Sequence, residues 1–180
     1  MKLKSKSMKD LKQIIDIDEV DQQLLYWLQQ DAARSNQDLA RQVGISAPTC
    51  LRRVRRLHSA GLIERQVAVL NPQPLAAHYG EGLQAILEVT LERQSAQDLD
   101  AFEQRAVADD EVSQCWRVSA GPDFVLVVLV KDMPGYQALV QRLLGVQANV
   151  RNVKTFFAVR RAKCNPAVWL PPARGNALTS

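Results

Sequence analysis

The sequence predicts an α+β protein in two parts, an N-terminal winged helix-turn-helix followed by a C-terminal ferredoxin-like βαββαβ domain. Three observations carry this. A turn at Gly44-Ile45-Ser46 leads directly into a helical pattern holding Arg52, Arg53, Arg55 and Arg56. From residue 83 onward, period-2 and period-3.6 apolar patterns alternate. The net charge of +4 lies entirely in the first 70 residues, which hold 12 Lys/Arg against 8 Asp/Glu, whereas residues 71–180 balance at 11 and 11. A basic front on a neutral back points to an anionic partner for the front alone.

The elements follow in order. Asp18 is placed to cap a helix whose Val20, Leu24, Trp27 and Leu28 recur at helical spacing and which ends near Asp31. Ser35 caps a second, with Asp38 three residues on and Leu39, Ala40 and Val43 as its apolar stripe; Gly44 supplies the positive φ that ends it. Ser46 is placed to cap the third helix, and Pro48 is tolerated in its first turn, where an N–H has no intrahelical partner. At about 100° per residue, Cys50, Val54 and Leu57 share one side of this helix, while Thr49, Arg52 and Arg56 lie opposite, flanked by Arg53 and Arg55. Such a face is either an ordinary solvated surface or a nucleic-acid contact, and the helix-turn-helix around it favours the latter. Leu62–Leu70 alternates in part and reads as a β wing, and Asn71-Pro72-Gln73-Pro74 punctuates the start of a linker.

In the back half, Leu87, Val89 and Leu91 alternate with Glu88, Thr90 and Glu92 as a half-exposed strand. Ser95 and Asp98 form a capping box for a helix with Leu99, Phe102 and Ala106 on one side. Val112–Val118 is a second strand, and Phe124–Val130, apolar on both faces, is a central one. Asp132 and Pro134 open a helix with Tyr136, Leu139, Val140, Leu143 and Leu144 on one face, and Val150–Val159 closes the sheet. The resulting boundaries are a basic tail over 1–15, a DNA-binding domain over 16–70, a linker over 71–82, a sheet domain over 83–163 and a Pro-rich tail over 164–180.

Composition excludes several classes. Apolar content of 47% and charged content of 23% are those of a globular protein. No stretch is long and apolar enough to span a membrane, and Met1-Lys2-Leu3-Lys4-Ser5-Lys6 lacks the apolar core of a signal peptide, so a cytoplasmic protein is expected. Three cysteines (Cys50, Cys115, Cys164) are too scattered for a disulfide framework, and with His58 and His78 as the only histidines a zinc site has poor material. No nucleophile set, phosphate-binding glycine loop or metal spacing is present, so neither an enzyme nor a cofactor is expected.

Over roughly residues 15–165 the chain resembles the Lrp/AsnC (feast/famine) family of transcription regulators. The resemblance rests on Ile17-Asp18-x-x-Asp21 with Leu28-Gln29, on Val43-Gly44-Ile45-Ser46, on Cys50 to Leu57, and on Gly61-Leu62-Ile63 through Leu70-Asn71-Pro72. It departs at Ser46-Ala47-Pro48-Thr49, where the family often has Ser-Pro-Thr-Pro, and at Ala32-Ala33, where it usually has Gly-Arg. The resemblance implies that Ser46, Ala47, Thr49, Arg52 and Arg53 face double-stranded DNA; Asn36, Arg55, Arg56 and Arg65 complete the candidate set. Arginines contact phosphates or guanine edges, and which of them read bases depends on the docking angle.

The sheet domain then corresponds to the family's RAM domain, an ACT-like module that binds amino-acid-type effectors and builds homodimers, tetramers and octamers. The effector turn corresponds to Ser119, Ala120, Gly121, Pro122, Asp123 and Phe124, with Ala120 at the family's first glycine and Phe124 at its tyrosine. Ser119, Ala120, Gly121, Asp123 and Phe124 are the candidate effector residues: backbone N–H groups and the Ser119 hydroxyl for a carboxylate, Asp123 for an amino group. The plainer alternative is a structural turn in which Asp123 satisfies local backbone donors. The expected function is a sequence-specific regulator of amino-acid metabolism bound to the nucleoid; the alternative is an architectural DNA-binding protein with little sequence preference.

Overall fold

The computed structural model describes residues 15–145 and 149–170. The basic tail expected over 1–15 (Ile15 apart) and the Pro-rich tail beyond residue 170 lie outside the described residues. The chain divides into two compact units between Val69 and Leu70, and residues 165–170 group with the first.

The first unit is built on α1 (Glu19–Gln30), α2 (Asn36–Val43) and α3 (Ala47–Ser59). Asp18 caps α1 as expected, accepting the Asp21 N–H at 2.9 Å, while Asp21 reaches back to the Asp18 N–H at 3.4 Å. Ser35 caps α2 by accepting the Asp38 N–H at 3.2 Å, and Gly44 ends it at φ 72°, a backbone conformation that suits glycine. Leu24, Leu28, Leu39, Ala40, Cys50 and Leu57 pack into one core between the three helices.

Ser46 sits at the N-cap of α3 but does not cap it: its hydroxyl donates to Thr49 Oγ1 at 2.9 Å. Pro48 removes the N–H at one of the two positions a capping oxygen serves, and Thr49 at the other offers its own hydroxyl instead.

The wing is a further correction. Residues 64–70 form no strand, and Val67, Val69 and Leu70 are more than half exposed. Alternation specifies a strand only where a partner satisfies its backbone, and no described segment of the first unit pairs with this run. Of the wing expected over Leu62–Leu70, Ile63 packs against the helical core.

The second unit begins where a linker was expected. Residues 71–82 contain α4 (Pro72–Tyr79), capped by Asn71, whose side chain accepts the Gln73 N–H at 3.2 Å. The prolines that read as loop punctuation fall in the first turn, where the missing donor costs nothing. There follow β1 (Leu83–Leu91), α5 (Ala96–Ala108), β2 (Val112–Arg117), β3 (Phe124–Val130), α6 (Met133–Leu144) and β4 (Val150–Phe157). The sheet order is β2-β3-β1-β4, all antiparallel, which is the ferredoxin-like arrangement expected.

The sheet's two faces differ. Ala85, Leu87, Val89, Leu91, Phe124, Leu126 and Val128 meet Phe102 and Ala106 of α5 and Leu139 and Leu143 of α6. On the other face, cross-strand register sets Gln114, Val127, Ile86 and Phe156 in one row, and Trp116, Val125, Glu88 and Lys154 in the next. Trp116, Ile86, Leu129 and Phe156 remain 59%, 40%, 52% and 52% exposed, so this face is apolar and no described element of this unit covers it. β4 stops two residues before the expected Val159: Ala158 donates to the Gln84 carbonyl at 2.8 Å, and Val159 is fully exposed.

Candidate nucleic-acid interface and effector turn

The helix-turn-helix leaves α3 with one buried side and one charged side. Cys50 and Leu57 are fully buried, and burial raises the Cys50 thiol above its ordinary range. Arg52 and Arg55 are exposed and make no hydrogen bond or ion pair among the described residues. Arg65 is likewise exposed and unpaired among them. Ser46 is exposed and joined to Thr49; Ala47 and Thr49 are half-buried. Asn36 is half-buried at the start of α2, its side-chain oxygen 4.0 Å from Cys50 Sγ, so it contributes to the seam between α2 and α3.

Arg53 and Arg56 are placed differently. Arg53 Nη1 donates to Asp18 Oδ2 at 2.7 Å and to Asp21 Oδ1 at 3.0 Å. Arg56 donates to Asp21 Oδ2 and, at 3.4 Å, to the Asp16 carbonyl. The Asp21 side chain is 0% exposed, and it is the one buried charged residue of the described chain. Two guanidinium groups therefore balance a carboxylate taken out of water, which without them is strongly unfavourable. The Asp21 N–H and then Arg53 hold the Asp18 carboxyl below its usual range, while Asp18 and then Asp21 raise Arg53. Sequence reasoning placed Asp18 and Asp21 in the helix start and all four arginines on one face; the 32 to 35 residues between the partners hid their pairing.

In the second unit, the turn between β2 and β3 combines an exposed rim with an occupied base. Ser119, Ala120 and Gly121 are exposed, and their N–H groups find no acceptor among the described residues. Ala120 adopts φ 63°, so the position keeps a glycine-like backbone although it carries a methyl group; Gly121 follows at φ 129°. Asp123 lies below, accepting the Leu91 N–H at 2.7 Å and the Gln94 side-chain N–H at 3.1 Å through Oδ2. Its own N–H donates to the Val89 carbonyl at 2.9 Å, tying the turn to the end of β1. Phe124 is fully buried, its ring 4.8 Å from that of Phe102. The turn thus offers Ser119 to Gly121 outward, while Asp123 and Phe124 face the fold.

Asn149, at φ 59°, clasps the same corner from the other side, exchanging hydrogen bonds with the backbone of Arg93 at 3.0 and 2.9 Å. Nothing local in the sequence marks it. Among the described residues no group of three or more His, Cys, Asp or Glu is placed to hold a metal ion, and no helix is long and apolar enough to cross a membrane.

Comparison with known proteins gives a consistent result. A family model described as the AsnC-type helix-turn-helix domain matches residues 17–58, and one described as the Lrp/AsnC ligand binding domain matches residues 84–168. The leucine-responsive regulatory protein of Rhizobium meliloti is 38% identical over 149 residues, spanning 83% of this chain and 93% of its own. Its Escherichia coli K12 namesake is 33% identical over 148 residues, 82% of this chain and 88% of its own. Among solved structures, an AsnC family transcriptional regulator from Agrobacterium tumefaciens superposes with a TM-score of 0.72 at 28% identity, covering 84% of this chain and 96% of that one. A transcriptional regulator from Neisseria meningitidis, solved as a complex with L-Met, gives a TM-score of 0.71 at 24% identity over 85% of this chain and 96% of that one.

Proposed function

We propose a function from one premise: the chain belongs to the Lrp/AsnC family of transcriptional regulators. It joins that family's DNA-binding helix-turn-helix to its ligand-binding domain. In our reading it is a sequence-specific regulator of amino-acid metabolism, acting in the cytoplasm on the nucleoid. Residues 16–70 bind DNA, with α3 in the major groove, and residues 83–163 bind an effector and assemble the protein.

The observation that carries this reading is the pair Arg52 and Arg55, exposed on a helix whose other side is locked into a core and without partners among the described residues. Ser46, Ala47 and Thr49 stand at the start of the same helix, where side chains reach base edges and phosphates, and Arg65 adds a cation on the following segment. The effector is an amino acid whose carboxylate meets the N–H groups of Ser119, Ala120 and Gly121 and the Ser119 hydroxyl. Asp123 holds that turn in place rather than meeting the ligand, because its carboxylate already accepts from Leu91 and Gln94. Support for the effector class comes from the name of the leucine-responsive relatives, and from the L-Met complex of a neighbour alike in fold. The uncovered apolar sheet face of Trp116, Val127, Ile86 and Phe156 supports a homodimer that extends to a tetramer or octamer.

A gel-shift titration on the DNA upstream of the gene, with excess random competitor and each common amino acid in turn, tests the reading. A specific shift altered by one amino acid is the expected result. A specific shift that no amino acid alters removes the effector, and equal affinity for competitor replaces the regulator with an architectural protein.

A further inference from the structure

We propose that Asp21 is a positioning residue that withholds Arg53 and Arg56 from DNA, leaving Arg52 and Arg55 as the cations α3 offers; this rests on the DNA-binding reading above.

Asp21 lies on the first turn of α1, and its carboxylate is fully buried against α3, with Arg53 on one oxygen and Arg56 on the other. Asp18 takes a second bond from the same Arg53 nitrogen at 2.7 Å, and the Asp16 carbonyl takes Arg56. Arg53 Nε is itself buried and has no acceptor among the described residues. For Arg53 or Arg56 to turn onto a phosphate, a carboxylate with no access to water must give up a cation. Phosphate offers no gain over that, since it exchanges one charge-assisted bond for another and strands the first partner. Arg52 lines the same shallow cleft as these acids yet pairs with none of them among the described residues.

The consequence bears on specificity. Cations that reach phosphate strengthen binding to every sequence alike, because the backbone repeats along all DNA. Four mobile arginines on a recognition helix favour non-specific binding; two held by acids from a neighbouring helix, and two free, shift the balance toward base reading. The acids serve a second end, because the bonds that immobilise Arg53 and Arg56 also fix the rotation of α3 against α1.

The test is the salt dependence of binding to a mixed-sequence duplex of about 40 base pairs, followed by fluorescence anisotropy from about 50 to 200 mM salt. Each phosphate-bound cation contributes about 0.9 to the slope of log affinity against log salt. Arg52→Gln/Arg55→Gln is expected to flatten the slope by about 1.8 per head. The triple variant Asp21→Asn/Arg53→Gln/Arg56→Gln, which leaves no buried charge behind, is expected to keep the wild-type slope. Asp21→Asn alone leaves Arg56 with no carboxylate, only the neutral Asp16 carbonyl at 3.4 Å, while Arg53 stays on Asp18, so its slope steepens by about 0.9 as Arg56 turns to phosphate, and adding Arg56→Gln restores the original value. A triple variant that flattens as much as Arg52→Gln/Arg55→Gln overturns the proposal. So does an Asp21→Asn variant that melts earlier without a change of slope, since Asp21 is then structural only. A wild-type protein with no salt-dependent binding at all refutes the DNA-binding reading itself, a result distinct from both.

Discussion

The cluster around Asp21 makes an asymmetric prediction for stability. Removing its two cations, as Arg53→Ala/Arg56→Ala, leaves a fully buried carboxylate with no opposite charge. Breaking a buried pair from one side costs about 3–5 kcal/mol. That approaches the whole stability of a small domain, about 5 kcal/mol. At about 4–8 °C per kcal/mol for a domain of this size, the helical unit's transition falls by about 12–40 °C or disappears. Removing the acid instead, as Asp21→Asn, strands nothing: the Arg53 and Arg56 side chains are 25% and 45% exposed and keep Asp18 and the Asp16 carbonyl as partners. Its cost is that of charged hydrogen bonds exchanged for weaker ones, about 1–2 kcal/mol. Differential scanning calorimetry of the full chain measures both, with Arg117→Ala as control, since its bonds to the exposed Asp100 and Glu103 contribute at most about 1 kcal/mol. Equal losses for the two variants, or an arginine variant no worse than the control, refute the reasoning: Asp21 then reaches water once its partners are gone.

Three further outcomes follow from the second unit. Arg142 holds the Asp109 carboxyl, 10% exposed, below its ordinary 3.8 through bonds at 2.7 and 3.1 Å. A carboxyl depressed in the folded state stabilises above its unfolded pKa and loses that as pH falls through the folded one; Asp109→Asn is therefore less stable by about 1 kcal/mol at neutral pH, and the gap to wild type narrows in denaturant titrations as pH falls below 3.8. Ala120→Gly, at φ 63°, raises the denaturation midpoint by the equivalent of about 1 kcal/mol; an unchanged or lower midpoint means the turn carries no strain there. Trp116→Glu/Leu129→Glu on this apolar sheet face reduces the proposed homodimer to monomers in sedimentation velocity without unfolding it, and an unaltered sedimentation coefficient removes that face from the interface.

What the sequence showed plainly was local. Asp18, Ser35, Ser95 and Asp132 cap their helices because a capping oxygen and the N–H it accepts lie three residues apart. The βαββαβ order was legible because each apolar period persists for a whole element, and Phe124–Val130 is apolar on both faces as a central strand requires. What failed did so where a second partner decides. The run over 64–70 alternates but pairs with nothing among the described residues, and the prolines of Pro72–Tyr79 signal either a loop or a helix start until the residues after them are seen to continue the turn. Ser46 stands at the expected cap position, and its hydroxyl is diverted only because Pro48 and Thr49 follow it together. Asp123 was read as a ligand contact or a local turn acceptor; its main partner, Leu91, lies 32 residues away and is neither.

The same limit governs the most informative stretch of the chain. Arginines counted along a helix give a total charge, whereas the charge offered to a ligand is what remains after the fold has used its share. On α3 the arithmetic of the sequence is four, but Arg53 and Arg56 face acids supplied by α1 and by its N-cap residue Asp18, and the pairs neutralise one another inside the unit. No periodicity argument separates Arg52 from Arg56, which lie about 40° apart around the helix. The separation comes from α1 lying along one flank of α3, so that Arg53 and Arg56 fall under it while Arg52 and Arg55 do not. An acid in the opening Asp18-x-x-Asp21 is therefore informative about the recognition helix, and substituting either end of that contact changes what the other presents.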